Sequence, residues 1–360
     1  MKQQRHPCMV STEEHEEGEL NVPKAVTYVY VPIMIFVSCV GVVGNILVVG
    51  AVVKRKQLRV LINVFIVNLA VADFVVSILV NPFAVVGVLD KGNLFQRFPA
   101  LCEVLATFCV IGFVGSLWSL SFVALNRYVY ICHRFYYPKV FTSKTVAGMI
   151  AFIWIFALLL DLPNYLGWGD HDFDIRNYTC CYTYSANFGY TRGFLLVFGF
   201  ILPVGLLNYS YIRIYLLARK SSKKMAAHQE NISTSPTRSN IEASDRRLLL
   251  TIGVIWLVFM IMWSPYAISV IFDLGDITAL FIPGTLMAFM NSSGNCLIYA
   301  TNRNFRKGYK MIFKGMICCR RQSQMNDGVR RPSSVDAISS ASKDASRPST
   351  SATNIITSQI

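Results

Sequence analysis

Long uncharged stretches are the feature of this sequence that most constrains its fold. Between Lys24 and Lys54 no residue is charged, and this span exceeds the roughly 20 residues with which an α-helix crosses a bilayer. Six similar stretches follow, at 61–89, 104–126, 145–169, 193–212, 248–272 and 277–302, interrupted only by Asp73 and Asp161. With 54% hydrophobic and 15% charged residues, the chain is too apolar for an ordinary water-soluble domain.

Seven such stretches predict an all-α membrane protein, a seven-transmembrane helix bundle. Backbone groups in hydrocarbon must be hydrogen-bonded within the protein, and the strands of a membrane barrel would show shorter segments of alternating polarity. We expect the bundle at 25–320, after an acidic tail at 1–24. A short amphipathic helix is expected on the membrane surface at 302–315, and a disordered, Ser-rich cytoplasmic tail at 321–360.

Charged residues in the intervening loops differ in sign between the two sides of the predicted membrane. Lys and Arg follow the first, third, fifth and seventh stretches, whereas acidic residues gather in the N-terminal tail and after the fourth and sixth. Because cytoplasmic loops are enriched in Lys and Arg, we expect a plasma-membrane protein with an extracellular N-terminus. The net charge of +14 then lies beside the membrane, which makes lipid headgroups the expected partner and argues against nucleic acid.

In this orientation four cysteines lie on the outer side, where disulfides persist: Cys8, Cys102, Cys180 and Cys181. Four cysteines allow three pairings. We expect a disulfide between Cys102 and either Cys180 or Cys181, and Cys8 is then available to the remaining cysteine. The same outer loop holds Asn177, which begins a sequon for N-glycosylation.

On the inner side, the adjacent Cys318 and Cys319 follow the amphipathic stretch. We expect them to be palmitoylated, because a second membrane signal strengthens anchoring, and unmodified thiols are the alternative. Serines after paired arginines at 330–343 suit phosphorylation by kinases that recognise basic sequences. A tail that only aids solubility is the alternative there.

Polar residues inside membrane helices are costly, so each is a functional hypothesis. They concentrate in the first, second, third and seventh stretches: Asn45, Asn68, Asp73, Ser116, Asn291, Ser292, Ser293 and Asn295. Asp73 could bind a small cation, with hydroxyl and amide oxygens completing the coordination shell. A hydrogen-bonded packing network around a protonated Asp73 is the alternative reading of the same residues.

The inner halves of the helices carry a second set of unusual residues. Pro265 removes a backbone hydrogen bond from the sixth stretch and is expected to bend it, which would give that helix a pivot. Arg127 ends a long apolar run and follows Asn126 rather than an acidic residue. We expect Arg127 to line the inner mouth of the bundle together with Tyr211 and Tyr299.

Taken together, these residues resemble the rhodopsin-like family of G-protein-coupled receptors over about residues 25–320. The motifs are Gly44-Asn45, Leu69-Ala-Val-Ala-Asp73, Cys102, Arg127, Trp154, Pro203 with Tyr211, Trp263-Ser-Pro265, and Asn295 with Tyr299. The resemblance implies a receptor that transmits binding of an extracellular small-molecule agonist to a heterotrimeric G protein, inhibitory by analogy. It also implies that receptor kinases and arrestin act on the tail.

The resemblance assigns roles to two groups of residues. The family's internal sodium site matches Asp73, Ser116, Asn291, Ser292 and Asn295. The family's activation switch and G-protein contact match Asn126, Arg127, Tyr128, Tyr211, Asp245, Pro265, Asn295 and Tyr299. Most of the family has an aspartate before the arginine, whereas this chain has Asn126, so Asp245 at the inner end of helix six is the expected partner of Arg127.

Within the family, the stretch "ALNRYVYICH" looks most like melatonin receptors. By this resemblance the candidate ligand-binding residues are Cys109, Asn164, Tyr182, Tyr184, Gly199 and Trp263. Gly199 stands where melatonin receptors have a histidine, and their outer-loop glutamine falls near Tyr184. A more apolar or hydroxyl-lined pocket is therefore expected. An insect branch of orphan receptors, of the moody and trapped-in-endoderm type, also carries Asn-Arg-Tyr and is the alternative.

Other classes of ligand and function are disfavoured. Cys109 stands where amine receptors have an aspartate, and Phe289 stands where opsins have the lysine that binds retinal, so neither a protonated monoamine nor a Schiff base is expected. We see no internal repeat of the kind that transporters show, which argues against a transporter or channel. No nucleophile–base pair or cluster of metal ligands points to an enzyme, and no cofactor is expected beyond the sodium ion.

Overall fold

The computed structural model describes residues 22, 24, 26–174, 178–182, 189–228, 253–254, 256–269, 271–272 and 278–328. Four of the predicted functional residues lie outside these ranges: Cys8, Asn177, Tyr184 and Asp245. The predicted disordered tail lies outside them as well, except for its first residues, 321–328.

The helices of the described chain are numbered α1 to α8. Helix α1 comprises a π-helical turn, Val26–Tyr30, and an α-helix, Val31–Lys54; α2 comprises Leu61–Val75, a π-helical segment Val76–Val80, and Asn81–Leu89; α3 is Pro99–Cys132; α4 is Ser143–Tyr165. Helix α5 comprises a π-helical Gly189–Ile201 and an α-helical Leu202–His228; α6 is described over Trp256–Ser269; α7 is Thr278–Thr301; α8 is Arg303–Gly328. Short helices at Lys56–Leu58, Asn93–Arg97 and Tyr137–Val140 lie in the connections.

The predicted seven-helix bundle is confirmed. Helices α1 to α5 are each long and apolar enough to cross a membrane, and the described part of α6 is a shorter apolar segment. Helix α7 has 24 residues, which is enough to span a bilayer. Its inner half carries the polar group Asn291, Ser292, Ser293 and Asn295, which makes it less hydrophobic than the first five.

Helix α3 lies at the centre and is the most buried of the first five helices. It packs against α2, α4 and α5, while α1 packs against α2 and α7. Leu117 and Leu120 of α3 are almost fully buried, as are Leu160 of α4 and Leu207 of α5. Helix α1 instead exposes large apolar side chains on its outer face, among them Phe36, as expected of a surface that faces lipid.

A small antiparallel sheet interrupts the otherwise helical fold, and the all-α prediction omitted it. Strand β1 is His171–Asp174 and strand β2 is Thr179–Tyr182, with Phe173 paired to Cys180. Cys180 forms a disulfide with Cys102, with a Cα–Cα distance of 5.3 Å. This bridge joins β2 to the first turn of α3 and resolves the pairing that the sequence had left open.

Helices α3 and α8 extend beyond the segments that the sequence predicted for them. Helix α3 begins at Pro99 and ends at Cys132, because single charged residues near a membrane surface do not end a helix. Helix α8 extends to Gly328, beyond the predicted end at 315 and into the segment that we had expected to be disordered. No proline occurs in α8 over its described length.

The chain divides into two compact units, residues 1–312 and 313–360. The first unit contains the helix bundle and the start of α8, where Phe305 stacks on Tyr299 of α7 with ring centroids 5.3 Å apart. In the second unit, Cys318 and Cys319 lie on the helical segment that continues to Gly328.

Candidate functional site

A cavity opens among α2, α3, β2, α6 and α7. The empty space between its lining atoms is about 650 Å³, counted together with its open mouth. Aromatic side chains form much of the wall, including Phe113, Trp263, Tyr266 and Phe289. Every described residue on the wall is uncharged. The cavity thus has the character of a site for a largely apolar molecule.

Trp263 lies at the centre of an aromatic cluster beside this cavity. Its ring centroid lies 4.4 Å from that of Phe113 on α3. It also lies 6.2 Å from the centroid of Phe200 on α5 and 6.1 Å from that of Phe259. A ligand that moves Trp263 would therefore act on α3, α5 and α6 together.

Helix α7 approaches α6 closely next to the cavity. A Cβ atom added to Gly284 would lie 3.2 Å from the carbonyl carbon of Pro265 and 3.0 Å from the backbone nitrogen of Tyr266. Because these are backbone atoms, a Cβ atom at this position would require α6 and α7 to separate by a few tenths of an ångström. The Ser269 hydroxyl donates a 2.9 Å hydrogen bond to the Pro265 carbonyl. The carbonyl oxygen at the expected pivot of α6 therefore has a side-chain partner.

Two polar groups on the cavity wall are buried without a protein hydrogen-bond partner among the described residues. They are the indole N–H of Trp263 and the hydroxyl of Thr285. Leaving a buried donor or acceptor unpaired costs about 1–3 kcal/mol. A ligand that reached either group and accepted its hydrogen bond would recover part of that cost.

Asp73 of α2 is completely buried and forms the centre of a polar network. The Ser116 hydroxyl donates to Oδ1 at 2.6 Å, and the Asn295 side-chain amide donates to Oδ2 at 2.9 Å. Ser292 is a further side-chain partner of this carboxyl group. Because Ser116 and Ser292 also line the cavity, two side chains contact both the cavity and the buried carboxyl group.

The structure brings four of the five predicted sodium ligands together, namely Asp73, Ser116, Ser292 and Asn295. The fifth, Asn291, is buried and lines the cavity. Carboxylate, hydroxyl and amide oxygens are hard donors, which suit a small hard cation. The donor set therefore fits a sodium ion.

Three helices are held together by a neighbouring network around Asn68. The Trp154 indole of α4 donates to the Asn68 side-chain oxygen at 2.8 Å, and the Asn68 side-chain amide donates to the Ser119 hydroxyl at 2.7 Å. The residues come from α2, α3 and α4. Asn68 and Trp154 are therefore explained by packing rather than by ligand binding.

The predicted ligand-binding residues divide into two groups. Cys109 and Trp263 line the cavity. Gly199 is not on the cavity wall. A Cβ atom added there would point toward Leu195 and Val114, both at 3.5 Å. Of the remaining residues, Tyr182 ends β2 and Tyr184 lies outside the described ranges.

Asn164, the other predicted ligand contact, lies in a buried polar cluster instead of on the cavity wall. Its side-chain amide donates to Asp161 Oδ1 at 2.9 Å. The same oxygen lies 2.9 Å from Nε2 of His171, which begins β1. The Asp161–His171 pair joins the outer end of α4 to the strand, and the sequence analysis missed it. The available signal was an aspartate within a membrane helix, which requires a partner.

The inner end of the described bundle contains several of the predicted switch residues. The Asn126 side-chain amide donates to the Tyr137 hydroxyl at 3.3 Å, so it contacts the short inner-loop helix. The Tyr128 hydroxyl lies 2.9 Å from Nε2 of His133. Tyr211 packs against Trp256 of α6, with centroids 5.9 Å apart. This last contact makes α5 and α6 neighbours at the level where α6 is expected to move.

Comparison with known protein families and solved structures agrees with this architecture. A family model described as 7 transmembrane receptor (rhodopsin family) matches residues 44–299. This chain belongs to the rhodopsin family of seven-transmembrane receptors. Its fold is also similar to that of squid rhodopsin, with a TM-score of 0.70 over 87% of this chain and 94% of that one, at 22% identity.

Within this receptor family the chain is similar to melatonin receptors. It is 31% identical to melatonin receptor type 1B-B of Danio rerio over 80% of this chain and 82% of that one. It is 32% identical to type 1A of Mus musculus over 78% of each chain. With type 1A of Gallus gallus the identity is 31%, over 88% and 89%. The predicted resemblance to melatonin receptors is confirmed, and the protein is a multi-pass membrane receptor, not a member of an enzyme family.

Proposed function

We propose that this receptor binds an uncharged, largely apolar agonist in the cavity and activates a heterotrimeric G protein of the inhibitory class. The observation that carries the proposal is the position of the cavity between the expected pivot of α6 and the buried polar network around Asp73. Its wall includes Trp263 and Tyr266, which flank Pro265 of α6, and also Ser116 and Ser292, which contact Asp73. A ligand there contacts both the expected pivot and the buried polar network.

The physical mechanism requires only that the agonist bind the active state more tightly than the resting state. An agonist that hydrogen-bonds to Thr285 and packs on Trp263 would favour one arrangement of α6 against α7. Rotation of α6 about Pro265 would then open the inner end beside Arg127. The C-terminal helix of a G-protein α subunit would enter that opening between Tyr211 and Tyr299.

The chemistry of the wall bears on the choice of agonist. Melatonin is neutral, and relatives of this chain are melatonin receptors, so melatonin is the first candidate. However, Asn164 already donates to Asp161, and Gly199 offers no polar side chain. A different neutral molecule that accepts hydrogen bonds from Trp263 and Thr285 is therefore the second candidate.

The buried carboxyl group of Asp73 is proposed to hold a sodium ion in the resting receptor. Ser116, Ser292 and Asn295 already converge on it, and Asn291 lies on the adjoining wall. A bound cation would supply a positive charge that offsets the burial of a carboxylate. Because Ser116 and Ser292 also face the cavity, ligand and cation occupancy are expected to influence each other.

The remaining features complete the proposed receptor. The N-terminus faces the extracellular side of the plasma membrane, Asn177 carries a glycan, and Cys318 and Cys319 are palmitoylated. Receptor kinases and arrestin act on the Ser-rich tail, and the basic residues of α8 contact lipid headgroups. A glycosidase shift in electrophoresis that is lost in Asn177→Gln would test the orientation, because only lumenal sites are glycosylated. An unchanged mobility would contradict it.

Cyclic AMP in cells that express the receptor tests the function. A fall on adding melatonin that is absent from Arg127→Ala would support the proposal with melatonin as agonist. A ligand-independent fall that requires Arg127 would support a receptor with another agonist. Thr285→Val should weaken agonist potency, with Thr301→Val, on the exposed end of the same helix, as its control. A response unchanged by Arg127→Ala would contradict coupling through this residue.

A further inference from the structure

Two cysteines face each other on the wall of the cavity. Cys109 of α3 and Cys181 of β2 both line it, and their sulfur atoms lie 3.3 Å apart. A disulfide needs an S–S distance of about 2.05 Å. The two sulfurs are therefore on the order of 1 Å beyond bonding distance.

The neighbouring disulfide brings β2 close to α3, although Cys180 and Cys181 are adjacent in the strand and successive strand side chains point to opposite sides. Cys180 is bonded to Cys102, and Cys181 follows it directly in β2. Cys109 lies about two turns farther along α3 than Cys102, because one turn takes about 3.6 residues. Both α3 cysteines therefore present the same face to the strand. With the two elements already joined at Cys102, bringing the second pair together costs little chain entropy, since the encounter is intramolecular.

We infer that Cys109 and Cys181 form a second disulfide, which joins α3 to β2 directly on the wall of the ligand cavity. The inference rests on the proposed orientation, which puts this end of the bundle in an oxidising compartment. The oxidant is a small-molecule or protein disulfide of the secretory pathway. One thiolate attacks it to give a mixed disulfide and one released thiol. The second cysteine then displaces the other thiol, so two thiols are oxidised and one disulfide is reduced.

The second disulfide would fix β2 against α3 at the wall of the cavity. It replaces two separate thiol groups by one covalent link, so β2 can no longer move away from α3 at the level of the ligand. It would also exclude the alternative in which Cys181 bonds to Cys8 of the N-terminal tail. The two alternatives predict different sets of linked peptides.

Peptide mapping of the full-length receptor decides between them. Intact cells are treated with N-ethylmaleimide, and the purified receptor is digested without reduction by trypsin and by a protease that cleaves after glutamate. Cleavage after Glu103 separates Cys102 from Cys109, so each can be assigned by mass spectrometry. The expected result is the peptide of Cys109 linked to the peptide that contains Cys180 and Cys181, with the peptide of Cys102 linked to the same one.

Recovery of Cys109 alkylated by N-ethylmaleimide would overturn the inference, as would linkage of Cys8 to the Cys180–Cys181 peptide. If the Cys102 bridge is present in that sample, the orientation holds and only the second disulfide is rejected. If both bridges are absent, the orientation in the proposed function fails with it.

Thermal unfolding gives a second test that does not depend on a known agonist. Cys109→Ser and Cys181→Ser should lower the unfolding temperature by the same amount, and the double variant should lower it no further. Cys39→Ser, which removes an exposed thiol on α1, should leave it unchanged. Additive effects of the two serine variants would contradict a bond between them.

Discussion

The Ser116 hydroxyl donates a 2.6 Å hydrogen bond to Oδ1 of Asp73, and Ser116 also lines the cavity. One short side chain on α3 thus connects the proposed ligand site to a fully buried carboxyl group on α2. Ser292 of α7 makes the same double contact from the opposite side. A change in either environment is therefore transmitted to the other through direct contacts.

Ser116→Ala removes one hydrogen bond from Asp73 and one oxygen from the proposed sodium site. Replacing choline chloride by sodium chloride at constant ionic strength should raise the unfolding temperature of the wild-type receptor and have much less effect on the variant. Differential scanning fluorimetry in detergent measures this difference. Ser121→Ala is the control, because its hydroxyl bonds to backbone carbonyls of α3 and α5. An equal sodium response in wild type and Ser116→Ala would argue against the site.

Asp161→Asn replaces the carboxylate that contacts Nε2 of His171 and accepts from Asn164 by a neutral amide, which is a weaker hydrogen-bond acceptor. Leaving a buried polar group without a partner costs about 1–3 kcal/mol, and Asp161 and His171 are both buried. We expect lower thermal stability and less receptor at the cell surface, measured by unfolding and by surface labelling. The matched control is Asp172→Asn, an exposed aspartate of the same hairpin. Equal behaviour of the two variants would show that the pair contributes little.

Gly284→Ala tests the close contact between α7 and α6. Its Cβ would press on the backbone of Pro265 and Tyr266, so α6 must move away from α7. If Pro265 is the pivot, ligand-independent G-protein activation should rise, as measured by cyclic AMP. Gly294→Ala, on the same helix with nothing within 4 Å of the added Cβ, should have no such effect. No difference between the two variants would remove the support for a pivot here.

Asn126→Asp restores the acidic residue that most of the family has before Arg127. An aspartate would attract Arg127 more strongly than the amide does, which should stabilise the resting state and lower ligand-independent signalling. Asp245→Ala should have the opposite effect, because it removes the expected partner of Arg127 on the inner end of helix six. Basal cyclic AMP signalling is the measurement for both variants. A rise in ligand-independent signalling with Asn126→Asp, a fall with Asp245→Ala, or no change in either variant would count against this lock.

The helices could be predicted from the sequence, but not all of the contacts between them. Long uncharged stretches predicted the bundle because a helix in lipid satisfies its own backbone, so the signal is local. The Asp73 network was also anticipated, since a buried carboxylate in a membrane helix needs partners. These inferences depend on single helices or on residue type, not on how loops fold.

Contacts that depend on the outer hairpin could not be predicted. Which of Cys180 and Cys181 bonds to Cys102 is decided by the face that each presents in β2, and the strand was not foreseen. The partner of Asp161 was missed for the same reason, because His171 becomes its neighbour only when β1 folds onto α4. With Asn164 held by Asp161, a residue assigned to the ligand by resemblance has a structural role that the sequence alone did not indicate.

Nucleotide exchange on a purified inhibitory G protein, reconstituted with the receptor in phospholipid vesicles, tests the central claim most directly. The receptor should accelerate exchange of bound GDP, either without ligand or on addition of melatonin, and Arg127→Ala in equal amount should not. Thermal unfolding of the variant would show that it is folded. Exchange that is no faster than with empty vesicles, or that is the same with Arg127→Ala, would contradict the account of this protein as a G-protein-coupled receptor acting through Arg127.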